Sequence, residues 1–338
     1  MKSPIRRLIM SAAALIVISG SVAAQDAQRS LRIAVSTAAD HPLTVGGQKF
    51  ADLIGSKSGG KIRARLYSGA TLGNDVQVIG SLQGGTIDAA IVTAGLVTSL
   101  AKEYNMFLLP GVFQNTAQAD AVLDGPFGRK AREALDAHRL VALVHLEHGF
   151  KHVTNGKRAV TKWEDIQGLK IRVTQTPSLI DTFSRLGANP VPMPFNEVYT
   201  ALEQGAVDGM ETTFATFDSG KFYEVQKHLT MTGHIYDPLV LLVSRATWDK
   251  LSADERAVLT ASANEAAIYQ RKFNRDKEAK MIGELKARGF TVQDISATEK
   301  SRMRERLQPV LDKYAQVAGE ATAREFFAEL DKARAAAK

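Results

Sequence analysis

Arg172 is the residue in this sequence whose type and position best suit the binding of a charged ligand. It lies in a Leu-Lys-Ile-Arg-Val segment, where alternation puts Leu169, Ile171 and Val173 on one face of a predicted strand and Arg172 on the other. Ligands of open α/β sheets lie beyond the carboxyl ends of the strands, and a guanidinium can hold a carboxylate through two parallel hydrogen bonds. The pattern therefore indicates a carboxylate site, although a solvated arginine on an edge strand is the commoner use of this residue type.

Four further residues are weaker candidates for contact with a ligand. Lys151 follows a Gly-Phe turn and offers a second positive charge, although a single lysine is more often solvated. Thr93 follows an apolar strand-like segment, and Tyr236 precedes an Asp-Pro pair that predicts a turn. Both are more often ordinary loop residues than ligands. Phe195 fits the wall of a cleft and the core equally well.

Motifs typical of enzymes are missing from the sequence, which has no G-x-S-x-G elbow, no G-x-x-x-x-G-K-[ST] loop and no G-x-G-x-x-G turn. His145, His148 and His152 are close in sequence, but strand alternation separates His145 from His148. No carboxylate at a spacing typical of zinc sites completes a ligand set. We therefore expect no metal site, no cofactor and no catalytic residue.

The composition excludes several classes of protein. The 338 residues include no cysteine, which excludes disulfides and cysteine-ligated metals. The net charge is +7, from 43 Lys and Arg against 36 Asp and Glu, and it falls to +4 (7 − 3) without the first 24 residues. No run of basic residues interleaved with aromatic ones occurs, so we expect no nucleic-acid partner.

The first 24 residues predict a secretory signal peptide. Lys2, Arg6 and Arg7 form a positive segment, an uncharged apolar stretch follows at positions 8–18, and Val22 and Ala24 fit a cleavage site. The alternative is an uncleaved membrane anchor, but the apolar stretch is shorter than the roughly 20 residues that a spanning helix needs. We expect export to the periplasm.

Strand-like and helix-like segments alternate over the first two thirds of the chain, which predicts an α/β fold with parallel strands. The pattern L-x-x-G-x-[IV]-D occurs at 82–88 and again at 202–208, and a Lys-Ile-Arg segment precedes each copy. This repeated pattern favours two similarly built lobes, although a chance repeat is the alternative. A capping box at Ser252 and Glu255 predicts one helix from about 253 to 288 that runs along both lobes.

Several segments resemble the substrate-binding subunits of tripartite ATP-independent periplasmic (TRAP) transporters, the dicarboxylate-binding, DctP-like family. They are GLKIRV at 168–173, LGANPVPMPFNEVYTALEQGAVDGME at 186–211, KFYEVQKH at 221–228, and shorter matches at 69–73 and 85–88. The resemblance covers essentially the whole chain after residue 24. It implies a two-lobed periplasmic binding protein fold, with a hinge, a long helix spanning both lobes and a ligand in the cleft.

The resemblance also implies roles for individual residues. Arg172 would pair with the carboxylate of the ligand, and Phe195 would line the cleft. Two positions depart from the family pattern: Lys151 stands where an arginine is usual, and Thr212, after Glu211, stands where an asparagine is usual. Both departures affect the pocket, so the ligand of a known relative cannot be transferred to this chain.

The predicted lobes comprise residues 25–148 with 238–277, and residues 149–237 with 278–338. The predicted function is capture of a small organic carboxylate, with a sugar acid or other hydroxy acid ahead of a dicarboxylate, and its delivery to the TRAP membrane subunits. The alternatives are a sensor that presents its ligand to a receptor, and a periplasmic hydrolase or lyase that uses Lys151 and Glu211.

The signal peptide gives the first testable prediction. We expect N-terminal sequencing of the secreted protein to start at Gln25, because Ala24 and Val22 are the small residues that signal peptidase selects. Membrane-bound protein that retains Met1 would contradict it.

Overall fold

The computed structural model describes residues 29–336, and its strands form one mixed sheet. The strands are β1 (Arg29–Ala34), β2 (Ile62–Tyr67), β3 (Ala89–Thr93), β4 (Leu140–Asn155), β5 (Lys170–Val173), β6 (Asn189–Pro192), β7 (Gly209–Thr212), β8 (His228–Ser244) and β9 (Thr291–Asp294). Their order in the sheet is β2-β1-β3-β8-β4-β7-β5-β6, and β9 pairs with β8.

Helices cover the sheet on both sides of its central strands. They are α1 (Pro42–Lys57), α2 (Asp75–Gly84), α3 (Tyr104–Phe107), α4 (Thr116–Asp124), α5 (Pro126–Ala134), α6 (Pro177–Arg185), α7 (Val198–Glu203), α8 (Phe214–Ser219), α9 (Arg245–Trp248), α10 (Ala253–Ala287), α11 (Ala297–Ala318) and α12 (Glu320–Ala336). Within residues 29–336, no helix is both long enough and apolar enough to cross a bilayer.

Two triplets of parallel strands are built alike, as the repeated motif predicted. β1 lies between β2 and β3, and β5 lies between β6 and β7. The aspartate that ends each motif accepts a hydrogen bond from the middle strand of its triplet: Asp88 from the N–H of Arg32 at 2.8 Å, and Asp208 from that of Lys170 at 2.9 Å.

This correspondence corrects one sequence prediction. The Lys-Ile-Arg segment at 61–63 lies at the outer strand β2, whereas the one at 170–172 forms the middle strand β5. The counterpart of Lys170 is Arg32 in β1, so Arg172 corresponds to Ala34. The two Lys-Ile-Arg segments are alike because both suit a strand. Arg172 has no charged counterpart in the other triplet.

Two long antiparallel strands join the triplets. β4 has 16 residues and β8 has 17, so each spans about 50 Å at roughly 3.3 Å per residue. β3 pairs with β8 and β7 pairs with β4, both antiparallel. The prediction of parallel strands is therefore correct for the triplets and wrong for the centre of the sheet.

A bulge interrupts the pairing of β4 with β8. Glu147 lies opposite Pro238 and Gly149 lies opposite Asp237, which leaves His148 as an extra residue in β4. The turn predicted at the Asp-Pro pair is wrong, because β8 continues through it. A proline inside a sheet is tolerated at a bulge, where the regular ladder of hydrogen bonds is already broken.

The long helix α10 packs against both triplets, as the sequence predicted. Its 35 residues extend about 52 Å at 1.5 Å per residue. Leu259 near its start lies in an apolar cluster with Phe50 of α1, and Met281 near its end lies in a separate cluster with Phe217 of α8. The two-lobed α/β fold with a spanning helix is confirmed.

The third and largest apolar cluster draws on both lobes, with Leu82, Phe183 and Met303 among its members. α12 packs on α4 and α5, beside a segment that the sequence assigned to the first lobe. The lobe boundaries remain a prediction, but the last helix lies against the lobe opposite to the one predicted for it.

Glu147 fixes α10 to the central strands. Its buried carboxylate accepts hydrogen bonds from Asn274 at 3.0 Å and from Arg275 at 2.9 and 2.6 Å. Gln270 adds two bonds to the backbone of Glu147.

We expect Glu147→Ala to lower the free energy of unfolding by about 1–3 kcal/mol, because it leaves the buried amide of Asn274 without its acceptor, while Arg275 is 36% exposed and keeps its contact with Asp120. Urea denaturation measures the change. Glu265→Ala is the control, since Glu265 pairs with Lys57 at the surface and such pairs contribute about 0–1 kcal/mol. Equal losses in the two variants would contradict the role given to Glu147.

Candidate functional site

Three charged side chains meet where β8, β4 and β7 lie next to one another. The ammonium of Lys151 in β4 lies 2.7 Å from a carboxylate oxygen of Glu211 in β7 and 3.2 Å from one of Asp237 in β8. Each side chain is at most 3% exposed. Burial opposes a charged lysine, but Asp237 and Glu211 outweigh that effect and hold the pKa of Lys151 above its usual value.

Hydroxyl groups occupy the remaining positions around these carboxylates. The N–H and hydroxyl of Thr174 donate to Glu211 at 3.1 and 3.0 Å, and the hydroxyl of Thr93 donates to Asp237 at 2.7 Å. Burial would raise the pKa of Asp237, but Lys151 and His148 hold it well below its usual value. The ammonium of Lys151 is therefore already paired with two carboxylates of the protein itself.

Arg172 differs from Lys151 in having no such partner. It is 5% exposed, and its Nε and Nη2 both donate to the carbonyl of Met193, at 3.1 and 2.7 Å. No carboxylate within residues 29–336 forms an ion pair with it. Burial lowers the pKa of Arg172, partly offset by the more distant charges of Glu211 and Asp75. A desolvated guanidinium without a counter-ion favours an anionic ligand.

The bulge in β4 brings His148 to the same place. Its Nδ1 lies 3.0 Å from Asp237 and its Nε2 lies 2.8 Å from the hydroxyl of Thr216 in α8. An extra residue in a strand changes the direction of its side chain, which is why alternation did not identify His148. No signal in the sequence marked the bulge.

Asp75, the first residue of α2, faces this group from the other triplet. The hydroxyl of Ser36 donates to it at 3.0 Å. Asp75 remains partly exposed at the cavity mouth, yet desolvation raises its pKa to about 6, offset in part by Ser36 and by the charge of Arg172. Its carboxylate is an acceptor for hydroxyl groups and repels a second anion.

These side chains line one small cavity. Of the predicted binding residues, the structure brings six to it: Thr93, Lys151, Arg172, Phe195, Glu211 and Thr212. Residues that sequence reasoning missed also line it, namely Ser36, Thr37, Asp75, His148, Thr174 and Thr216. Most of these lie just after strands or at helix starts, where parallel strands collect ligand-binding groups, and that position was the available signal.

Tyr236 does not reach the cavity. It is 1% exposed, its hydroxyl donates to Glu147 at 3.3 Å, and its ring packs edge-on against Phe113 and Phe150. The prediction placed it at a turn, whereas β8 continues through this position and turns the ring into the core.

The cavity has a volume of about 50 Å³, far below the roughly 300–1,000 Å³ of most ligand pockets. A larger cavity of about 450 Å³ lies between β8 and α11. We assign the candidate site to the smaller one because the buried charges converge there. A cavity of this size holds only a few atoms, so a larger ligand requires the two lobes to move apart.

The three histidines that lie close in sequence are separated in the structure. His145 packs edge-on against Tyr104, and the Nδ1 of His152 accepts a bond from the N–H of Gly233 at 3.1 Å. Burial lowers the pKa of both histidines to about 3. Within the described part of the chain, no group of three or more His, Cys, Asp or Glu residues is arranged to hold a metal ion.

Comparisons with known proteins identify relatives of this chain in sequence and in structure. The chain is 36% identical to the 2,3-diketo-L-gulonate-binding periplasmic protein YiaO of Escherichia coli over 266 residues. The aligned region covers 79% of this chain and 81% of that protein. It superposes on the sugar acid binding protein DctPAm of Advenella mimigardefordensis in complex with galactonate, with a TM-score of 0.88 and 36% identity over 90% of this chain and 98% of that one.

A TRAP periplasmic solute binding protein of Polaromonas sp. JS666 bound to D-erythronate gives a TM-score of 0.85 at 32% identity, over 88% of this chain and 98% of that one. Residues 33–317 match the pattern described as bacterial extracellular solute-binding protein, family 7. The resemblance of the sequence to TRAP binding subunits is thus confirmed, and a family of extracellular binding proteins acts outside the cytoplasmic membrane. The chain belongs to family 7 of the bacterial extracellular solute-binding proteins.

Proposed function

We propose that this protein is exported by its signal peptide, captures a small hydroxylated carboxylate in the periplasm and delivers it to the membrane subunits of a TRAP transporter. The observation that carries the proposal is Arg172, a buried guanidinium whose hydrogen bonds go to a backbone carbonyl. A ligand carboxylate supplies the missing counter-charge. The ligands named for the relatives, galactonate and D-erythronate, are hydroxylated monocarboxylates.

The charges around the cavity favour one ligand carboxylate over two. Lys151 is neutralised by Glu211 and Asp237, so Arg172 is the available cation among the lining residues. A second ligand carboxylate would meet Asp75 and no free positive charge. The hydroxyl groups of Ser36, Thr37 and the other threonines that line the cavity suit a ligand with several hydroxyl groups.

The same contacts count against an enzyme. A catalytic base must lose its proton near neutral pH, but the raised pKa of Lys151 keeps its ammonium charged. Glu211 is occupied by Lys151 and Thr174. A binding role explains both residues as parts of a fixed frame around the ligand. A sensor would use the same frame, and a membrane transporter subunit that binds the ligand-loaded protein distinguishes the two.

A thermal-shift screen of sugar acids, hydroxy acids and dicarboxylates tests the proposal, since a ligand at 100 times its dissociation constant adds about 2.7 kcal/mol of stability. We expect stabilisation by hydroxylated monocarboxylates such as galactonate. Stabilisation by succinate alone would favour the dicarboxylate alternative. Conversion of a ligand to product, seen by mass spectrometry, would favour the enzyme.

We expect Arg172→Ala to cost at least about 2 kcal/mol of binding free energy, roughly 30-fold in affinity, because it removes one partner of a desolvated charge pair. Arg172→Lys keeps the charge but loses the two-pronged geometry, so it should also bind poorly. Calorimetry measures both, with circular dichroism as the check on folding. Arg63→Ala is the matched control, because Arg63 follows the same Lys-Ile pair in β2 and is exposed. A folded Arg172→Ala protein that binds as tightly as the parent would contradict the assignment.

Asp75→Asn should reduce the preference for hydroxylated monocarboxylates over dicarboxylates by about tenfold, since it removes the charge that repels a second carboxylate. In the parent, the same preference should fall as the pH drops below about 6, where Asp75 becomes neutral. Calorimetry with galactonate and tartrate between pH 5 and pH 8 measures it. Because both proteins are measured with the same two ligands, any change in the protonation of the ligands affects them equally. An equal pH dependence in the parent and in Asp75→Asn would exclude Asp75 as the cause.

A further inference from the structure

A hydrogen bond joins the two lobes beside the ligand cavity. The Nε2 of His41, the residue before α1, lies 3.0 Å from the hydroxyl oxygen of Thr216 in α8. His41 is 1% exposed and Thr216 is 5% exposed. Leu43 belongs to the apolar cluster of α1, whereas Phe217 belongs to the separate cluster of α8. The bond therefore connects elements that have different cores.

The proton positions along this contact follow from its neighbours. The Nδ1 of His41 accepts from the N–H of Leu43 at 3.0 Å, so its proton lies on Nε2 and is donated to Thr216. The Nδ1 of His148 faces the ionised carboxylate of Asp237, which selects the tautomer with a proton on Nδ1. When His148 carries this single proton, its Nε2 is an acceptor, and the hydroxyl proton of Thr216 goes to it.

The chain of donors thus runs from His41 to Thr216, from Thr216 to His148 and from His148 to Asp237. It requires neutral His41. Burial lowers the pKa of His41 well below its usual value, and the charge of Lys277 lowers it further. The ammonium of Lys277 lies 3.3 Å from Asp218 and 3.4 Å from the carbonyl of Asp40, so it bridges the same two segments. The donor role of His41 is therefore stable across neutral pH.

We propose that Thr216 is a positioning residue that couples closure of the lobes to the ligand site. When the lobes close, His41 completes the chain that orients Asp237, and Asp237 in turn holds Lys151. When they separate, His41 leaves and Thr216 keeps only the hydroxyl of Thr213, at 3.0 Å, as a donor. His41 is not among the residues that line the cavity, so it acts on the ligand through its hydrogen bond to Thr216 and its ring contact with His148. The effect on ligand affinity rests on the proposed function, but the effect on closure does not.

Three variants isolate this hydrogen bond. Thr216→Val has nearly the same shape but no hydroxyl, and Thr216→Ser keeps the hydroxyl. His41→Asn retains a residue suited to cap α1, but its side chain is too short to reach Thr216. Because the native chain has no cysteine, cysteines placed at the exposed residues Arg63 and Glu203 carry spin labels on opposite lobes. Pulsed electron–electron double resonance then measures the distance between the labels, which gives the ratio of closed to open molecules without any ligand.

We expect Thr216→Val and His41→Asn each to lower the closed-to-open ratio about tenfold, Thr216→Ser to restore it, and the double variant to be no worse than either single one. A parent-like ratio in Thr216→Val, or additive losses in the double variant, would overturn the proposal. With galactonate as the probe, stopped-flow dissociation should be about tenfold faster for Thr216→Val. If Thr216→Val closes as the parent does and galactonate still binds, the role given to Thr216 is wrong and the proposed function stands. If closure changes but no sugar acid binds, the proposed function is wrong and the role of Thr216 in closure stands.

Discussion

A lysine ammonium held between two carboxylates lies at the centre of this protein, and the rest of the site depends on it. Lys151, Glu211 and Asp237 come from three neighbouring strands, so the ion cluster forms only when β8, β4 and β7 are in register. Unpaired, any of the three would carry a large desolvation cost. Their mutual pairing leaves Arg172 as the buried cation that a ligand can neutralise.

The two long strands impose the second constraint. β4 and β8 belong to both halves of the sheet, and α10 is tied to them through Glu147, Gln270 and Asn274. On the side of α10 the triplets have separate cores, whereas the largest apolar cluster contains residues of both. The bulge lies in these central strands, and its extra residue, His148, lines the cavity. The proposed coupling of closure to binding rests on the fact that the same few residues take part in both.

The two departures from the family pattern have a physical reading in this frame. A lysine at position 151 is a compact point charge that fits between two carboxylates, where the planar fork of an arginine would reach towards the ligand. Thr212 presents a hydroxyl, and this hydroxyl lies 3.3 Å from the carbonyl of Thr213. Under the proposed function, both residues suit a ligand that carries one carboxylate and several hydroxyls.

Local pattern alone determined the α/β class, the repeated half-motif, the long helix after Ser252 and the position of Arg172, because period and capping are encoded within a few residues. The match to a known family added the cleft and two further residues that line it, Glu211 and Thr212. Only the tertiary structure decided the antiparallel centre, the bulge at His148 and the core position of Tyr236, since these depend on how distant strands pair. It also decided that Lys151 is neutralised while Arg172 is not. Charge balance in a buried site is a property of residues that are far apart in the chain, so no segment of the sequence contains it.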